Sequence, residues 1–123
     1  MVPLDEGFQC YVVGEGNDPD LDEICEHVVE LGATLIIVDA VYHPLVDKSR
    51  AVLKGGLGSF LGAPVRDAKG RVVRVVYAAL ARMHRWSDED VEAVNVEANR
   101  QSRLLEKSLE ISNQKNSQRR RKA

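Results

Sequence analysis

The fold of this chain is decided by residues 56–94, which read GLGSFLGAPVRDAKGRVVRVVYAALARMHRWSDEDVEAV. Two apolar runs, at 57–65 and 71–80, are separated by the polar segment Asp-Ala-Lys-Gly at 67–70. The glycine that ends this segment tolerates the positive φ that a tight turn requires. This order predicts two antiparallel strands joined by a hairpin turn.

A helix is predicted directly after the hairpin. Ser87 is a favoured N-cap residue, and Asp90, three residues on, completes an S-x-x-D capping box. The two acidic residues between them face the positive end of the helix dipole. The helix is expected to continue to about residue 112, and Trp86, just before the cap, is expected to pack its indole at the root of the helix.

The first half of the chain alternates between strands and helices. The apolar run 8–13 predicts a strand, and Asp18-Pro19 suits the N-cap and first position of a helix. Gly32 ends that helix, and the run 33–38 predicts a strand buried on both faces or nearly so. The apolar residues on the buried face of the helix are Leu21, Ile24, Cys25, Val28 and Val29.

These elements define the fold class. Because a hairpin cannot belong to an all-parallel sheet, we predict an α+β fold. It comprises a largely antiparallel sheet flanked by helices, with a long C-terminal helix. A length of 123 residues is typical of one domain. We predict that this domain spans 1–112 and that 113–123 form a basic, disordered tail.

Charge is distributed unevenly between the two parts. The tail holds five basic residues and no acidic one, which leaves 12 basic against 19 acidic residues in 1–112. A basic run is typical either of a nucleic-acid or lipid contact or of a solvated terminus. The acidic body would repel phosphates, and no aromatic side chain in the tail could stack on bases. We therefore predict no nucleic-acid partner.

The sequence also indicates a compartment. No apolar run reaches the roughly 18 residues of a membrane span, and the first residues do not resemble a signal peptide. Cys10 and Cys25 lack metal-ligand spacing and are expected to be reduced thiols. We predict a cytoplasmic protein with no membrane partner.

Motifs for catalysis are not found. The glycines of Gly56-Leu57-Gly58 precede a strand, whereas phosphate-binding loops place them between a strand and a helix. Ser59 lacks the nucleophile elbow G-x-S-x-G, and the histidines lack H-x-x-x-H pairing. We predict that the chain is not an enzyme and binds neither a metal nor a cofactor. Asp39, at the end of a predicted buried strand, suggests a site, although capping a loop is the more common role for such a residue.

Four segments resemble the GAF domain family. They are ICEHVVELG at 24–32, LIIVDA at 35–40 followed by His-Pro, SFLGAPV at 59–65 with its DAKG turn, and RWSDED at 85–90. The resemblance covers about 21–94. It implies a sensory or regulatory domain of bacterial signal transduction, which acts on a kinase, cyclase or phosphatase partner.

The chain also departs from that family. No counterpart is seen of the helix and strand that usually precede the strand at 8–13, and Arg74 stands where the family usually has Gly. Leu80 stands where Asp or Asn is frequent. The signatures of cyclic-nucleotide and bilin binding are not found, nor are the several cysteines of the free methionine sulfoxide reductase branch. The resemblance therefore implies no cofactor, and a ligand-free dimerisation or scaffold module with a degenerate pocket is the alternative.

The resemblance places a small ligand between the sheet and the connection 39–58. By position, the predicted ligand-binding residues are Asp39, His43, Leu57, Ser59 and Leu61.

The last helix is predicted to form a homodimer, parallel or antiparallel. Its first part, 91–98, should pack on the sheet, whereas its outer part extends beyond a body of this size and leaves an apolar stripe in water. A helix that frays or folds back after about residue 100 is the alternative. The predicted dimer contacts are Leu104, Leu105, Leu109 and Ile111.

Overall fold

The structure is a computed structural model that describes residues 8–14 and 19–122, and the side chains as far as residue 107. The elements in these residues are β1 Gln9–Val12, α1 Pro19–Leu31, β2 Leu35–Ile37, a 3₁₀ helix Ala40–Tyr42, α2 Arg50–Leu53, β3 Ser59–Arg66, β4 Val72–Leu80 and α3 Asp88–Lys122. The predicted α+β class is confirmed.

The strands form one sheet in the order β1-β4-β3-β2, and every neighbouring pair is antiparallel. β3 and β4 are the predicted hairpin. In its turn, the Asp67 carboxylate accepts hydrogen bonds from the backbone N–H groups of Lys69 (2.9 Å) and Arg71 (3.0 Å), which lower the pKa of Asp67. Gly70 has the expected positive φ, 81°.

Helices cover both faces of the sheet. Since side chains alternate along a strand, Phe60, Val75 and Tyr77 pack under α1 and α2, whereas Leu61 and Val76 pack under α3. This arrangement explains why β3 is apolar almost throughout: it is one of the two central strands, and helices cover both faces of the sheet there.

α1 follows the sequence prediction. It begins at Pro19; the proposed N-cap, Asp18, lies outside the described residues. Ile24, Cys25 and Val28 are fully buried on its inner face. Gly32 ends the helix with φ 66°, and its N–H donates to the Val28 carbonyl at 2.9 Å.

The start of α3 is held by the predicted capping box. The Asp90 N–H donates to Ser87 Oγ (3.1 Å), and the Ser87 N–H donates to Asp90 Oδ2 (3.0 Å). Trp86 lies at the root of the helix as predicted, half-buried against the cluster under α3.

α3 packs on the sheet over a longer stretch than predicted. Val91, Val94 and Ala98 contact the sheet as expected, and Leu105 joins the same cluster. The helix also continues to Lys122, past the predicted end at 112 and through the segment predicted to be a tail. No Gly or Pro follows residue 70, so the sequence holds no residue that would stop the helix.

Within the described residues no helix is both long enough and apolar enough to cross a bilayer.

Candidate functional site

A cleft of about 160 Å³ opens between the sheet and the layer formed by α1, α2 and the segment after α2. Its walls come from β1, β4, α1, α2 and the residues that lead into β3. The lining residues are Gln9, Asp20, Leu21, Ala51, Gly55, Leu57, Tyr77 and Ala79. This is the part of the fold where the sequence analysis expected a ligand, between the sheet and the connection 39–58.

One side of the cleft carries polar side chains that are held in place by a hydrogen bond and an ion pair. The Tyr77 hydroxyl donates to Gln9 Oε1 at 3.0 Å. Asp20 Oδ1 lies 3.2 Å from Nε of Arg50, which stands on α2 beside the cleft. Both side chains of this ion pair are partly exposed, so the pair contributes at most about 1 kcal/mol to folding. Its main effect is to hold one carboxylate at the cleft.

The other side is apolar and is shaped by tight backbone turns. The Leu57 N–H donates to the Ala51 carbonyl at 2.8 Å, which folds the segment after α2 back over the sheet. A Cβ on Gly55 would come within 2.8 Å of the same carbonyl oxygen, and Gly56 has φ 67°, so both glycines are required by this turn. Leu57 is thereby buried against the apolar core.

The predicted ligand residues are divided between different parts of the fold. Leu57 lines the cleft. Leu61 points to the opposite face of the sheet, under α3. Ser59 points to the same face as Leu61, because side chains two residues apart on a strand share a face. Asp39 precedes the 3₁₀ helix without capping it through its side chain, and His43 follows that helix and accepts a hydrogen bond at Nδ1 from the Leu45 N–H (3.3 Å).

Gln9, Asp20 and Tyr77 are cleft residues that the sequence analysis missed. Asp20 is an acid in the first turn of α1, a position where a carboxylate commonly serves the helix dipole. Tyr77 stands in the apolar run of β4, a pattern typical of core residues. Nothing in the local pattern indicates that the Tyr77 hydroxyl meets Gln9, which is 68 residues away.

Ser59 is fully buried, and its hydroxyl has no hydrogen-bond partner among the described residues. It lies on the face away from the cleft, so it is not part of the same site.

The two thiols are free. Burial raises the pKa of Cys25 to about 12, with smaller contributions from the carboxylates of Asp22 and Glu26. Burial also raises the pKa of Cys10, although the nearby Arg74 opposes this shift. Both shifts disfavour the reactive thiolate at neutral pH. In the described part of the chain no group of three or more His, Cys, Asp or Glu side chains could hold a metal ion.

The sequence matches no family model, and no curated protein is significantly similar to it. Among solved structures, the fold is similar to that of fRMsr of Staphylococcus aureus in its reduced form. The two are 14% identical in sequence, with a TM-score of 0.60 over 80% of this chain and 70% of the other. At this identity the likeness shows a shared fold.

This likeness corrects one prediction. The sequence analysis predicted that the chain is not an enzyme, partly because its fold was expected to be that of a regulatory module. That inference is wrong, because fRMsr, a methionine sulfoxide reductase, is an enzyme with the same fold. The fold is therefore no argument against catalysis.

Proposed function

We propose that this chain is a GAF-like regulatory domain of bacterial, cytoplasmic signal transduction that binds a small molecule in the cleft beside Asp20. The observation that carries the proposal is the cleft itself, which combines a carboxylate and two paired polar side chains with an apolar wall. Pockets that bind small molecules combine a few placed polar groups with apolar surface, and both kinds of surface line this cleft. The GAF resemblance of 21–94 supports the same assignment.

The walls of the cleft define the kind of ligand. Asp20 and the Gln9–Tyr77 pair offer hydrogen-bond acceptors, which suit a group that is cationic or rich in N–H or O–H. Leu21, Leu57 and Ala79 suit a short apolar portion. The volume is below the roughly 300 Å³ at which typical ligand pockets begin, so the ligand is a small metabolite.

β4 connects the cleft to α3. Tyr77 and Ala79 of this strand face the cleft, while Val76, between Cys10 of β1 and Ala63 of β3, faces α3 and packs in one cluster with Val94 and Ala98. A ligand that shifts β4 would change how α3 packs on the sheet. Binding would therefore favour one position of α3 over another. In this proposal α3 forms the homodimer and passes the signal to a kinase, cyclase or phosphatase partner.

A ligand-free dimerisation or scaffold module is the second candidate. The observation in its favour is that the polar groups of the cleft already satisfy each other, Tyr77 with Gln9 and Asp20 with Arg50. In that case the cleft is a remnant, and only α3 carries function.

Thermal unfolding in the presence of amino acids and small amines, which match the size of the cleft and its carboxylate, separates the two candidates. A compound that binds the native cleft raises the melting temperature with concentration, because binding adds RT ln(1 + [L]/Kd) to stability. Asp20→Asn should reduce that rise. Glu23→Gln, which removes one negative charge from an exposed position of the same helix, should leave it unchanged. If no compound in these classes shifts the wild-type melting temperature, the scaffold candidate is favoured.

A further inference from the structure

α3 presents an exposed surface on the side away from the sheet. We call it the outer face and define it by six residues at helical spacing, opposite the buried Val94 and Ala98. These residues are Glu89, Glu92, Val96, Arg100, Arg103 and Lys107. All six are exposed; Val96 is 57% exposed, and Leu104 at the border of the face is 50% exposed.

Charge on the outer face is segregated along the helix. Both acidic residues precede Val96, and all three basic residues follow it. Each half alone would repel a copy of itself. The two halves together are complementary to the same face turned end for end, with two acidic residues facing two of the three basic ones and Lys107 left without an acidic counterpart.

We infer that the outer face binds the outer face of a second copy of this chain, with the two α3 helices antiparallel and a two-fold axis at Val96. In that register, Glu89 lies opposite Arg103 of the second copy, and Glu92 lies opposite Arg100 of the second copy. Each pair occurs twice because the interface is isologous. A parallel pair would instead align Glu89 with Glu89 and Arg103 with Arg103, which is repulsive.

The inference specifies the homodimer of the proposed function and rests on it for the existence of a dimer. It also relocates the interface. Leu105, one of the predicted dimer contacts, packs on the chain's own sheet. Leu104 remains at the border of the outer face, and the side chains of Leu109 and Ile111 lie outside the described residues.

The chemistry of the face determines how the dimer should behave. Val96 is the one strongly apolar residue among the six, so charge pairing carries most of the attraction and the dimer is weak. Exposed ion pairs are screened within about 10 Å at 0.1 M salt. The dissociation constant should therefore increase strongly with ionic strength. Arg100 is already held by Glu97 of its own helix (2.9 Å and 2.5 Å), so the Glu89–Arg103 pair is the better test.

Sedimentation equilibrium of the full chain at low and high ionic strength tests the inference. We expect Arg103→Glu to raise the dimer dissociation constant by about tenfold or more, since two pairs become repulsive. Glu89→Arg should have a similar effect, and the double variant should restore the wild-type constant. Lys69→Glu in the hairpin turn makes the same charge change as Arg103→Glu away from the outer face, and it should not alter the constant.

Circular dichroism and the melting temperature confirm that each variant is folded. Glu89→Arg places a positive charge at the helix N-terminus, which is unfavourable, so Arg103→Glu is decisive if the other variant unfolds. A dimer that is insensitive to Arg103→Glu, or a double variant that is no tighter than its single parents, overturns the register but leaves dimerisation standing. A wild-type monomer at low ionic strength overturns both, while the thermal-shift test of the cleft remains independent.

Discussion

Trp86 joins three parts of the molecule at one residue. Its indole Nε1–H donates to the Ile37 carbonyl of β2 at 3.0 Å, and its ring meets His84 edge to face, with centroids 4.7 Å apart. The side chain also packs against the cluster under α3. The loop before α3 is thus fixed to the edge strand of the sheet.

We expect Trp86→Ala to lower the free energy of unfolding by about 2–3 kcal/mol, less than the roughly 3–5 kcal/mol for a fully buried aromatic residue, because the side chain is half-buried. Trp86→Phe keeps most of the ring contact and loses the hydrogen bond, so it should cost about 1 kcal/mol. Urea unfolding curves of the three proteins give both values. If Trp86→Ala is no less stable than Trp86→Phe, the ring does not hold the loop in place.

Arg74 and Gln101 show what a local pattern cannot reveal. The sequence analysis treated Arg74 as a departure from the GAF pattern, and Gln101 breaks the apolar spacing of α3. In the structure, Arg74 Nη1 donates to Gln101 Oε1 at 3.5 Å, and Gln101 Nε2 donates to Glu97 at 3.3 Å. The sequence around either residue gives no reason for a polar side chain there, because Arg74 and Gln101 are hydrogen-bond partners that lie 27 positions apart.

At the scale of elements, patterns with a local cause were predicted well. The hairpin at Asp67–Gly70, the apolar face of α1 and the capping box of α3 each depend on residues within one or two turns of each other. The length of α3 was predicted poorly. Its predicted end at about residue 112 falls short of Lys122, because the polar residues of this segment include many good helix formers and no breaker is present.

The capping box allows a test of this local control. Ser87→Ala removes the oxygen that accepts from the Asp90 N–H, and we expect a loss of about 1 kcal/mol in the free energy of unfolding. Ser87→Gly should cost only a few tenths of a kcal/mol, because glycine leaves the cap backbone accessible to water. Thermal unfolding of the two variants beside the wild type measures the difference. If neither variant is less stable than the wild type, the side-chain cap contributes nothing.

At the scale of the whole molecule, the sheet separates two surfaces with different chemistry. The cleft lies on the side of α1 and α2, and the outer face lies beyond α3 on the other side. The sequence analysis expected a ligand between the sheet and the connection 39–58, and Ala51, Gly55 and Leu57 of that connection line the cleft. It did not predict the polar lining, because Gln9, Asp20 and Tyr77 come from three elements whose approach depends on the tertiary fold.

Shortening α3 tests how its two faces contribute. A chain that ends at Arg100 loses the hydrogen bond from the Arg66 N–H to Ser102 Oγ (3.1 Å) and the packing of Leu105 on the sheet. We expect it to be about 1–3 kcal/mol less stable, because Leu105 is only partly buried and costs less to lose than a fully buried leucine, while one hydrogen bond is also lost. It also lacks Arg103, so it should be a monomer. Light scattering and urea unfolding measure the two effects.

A second chain that ends at Lys107 separates the two possible locations of the dimer interface. It keeps every described contact between α3 and the sheet and the complete outer face, but it lacks Leu109 and Ile111. If the antiparallel register at Val96 is correct, this chain dimerises with the salt dependence of the full protein. If Leu109 and Ile111 hold the dimer instead, the chain that ends at Lys107 is a stable monomer at high micromolar concentration. Because it should be as stable as the full chain, loss of the dimer could not be attributed to unfolding.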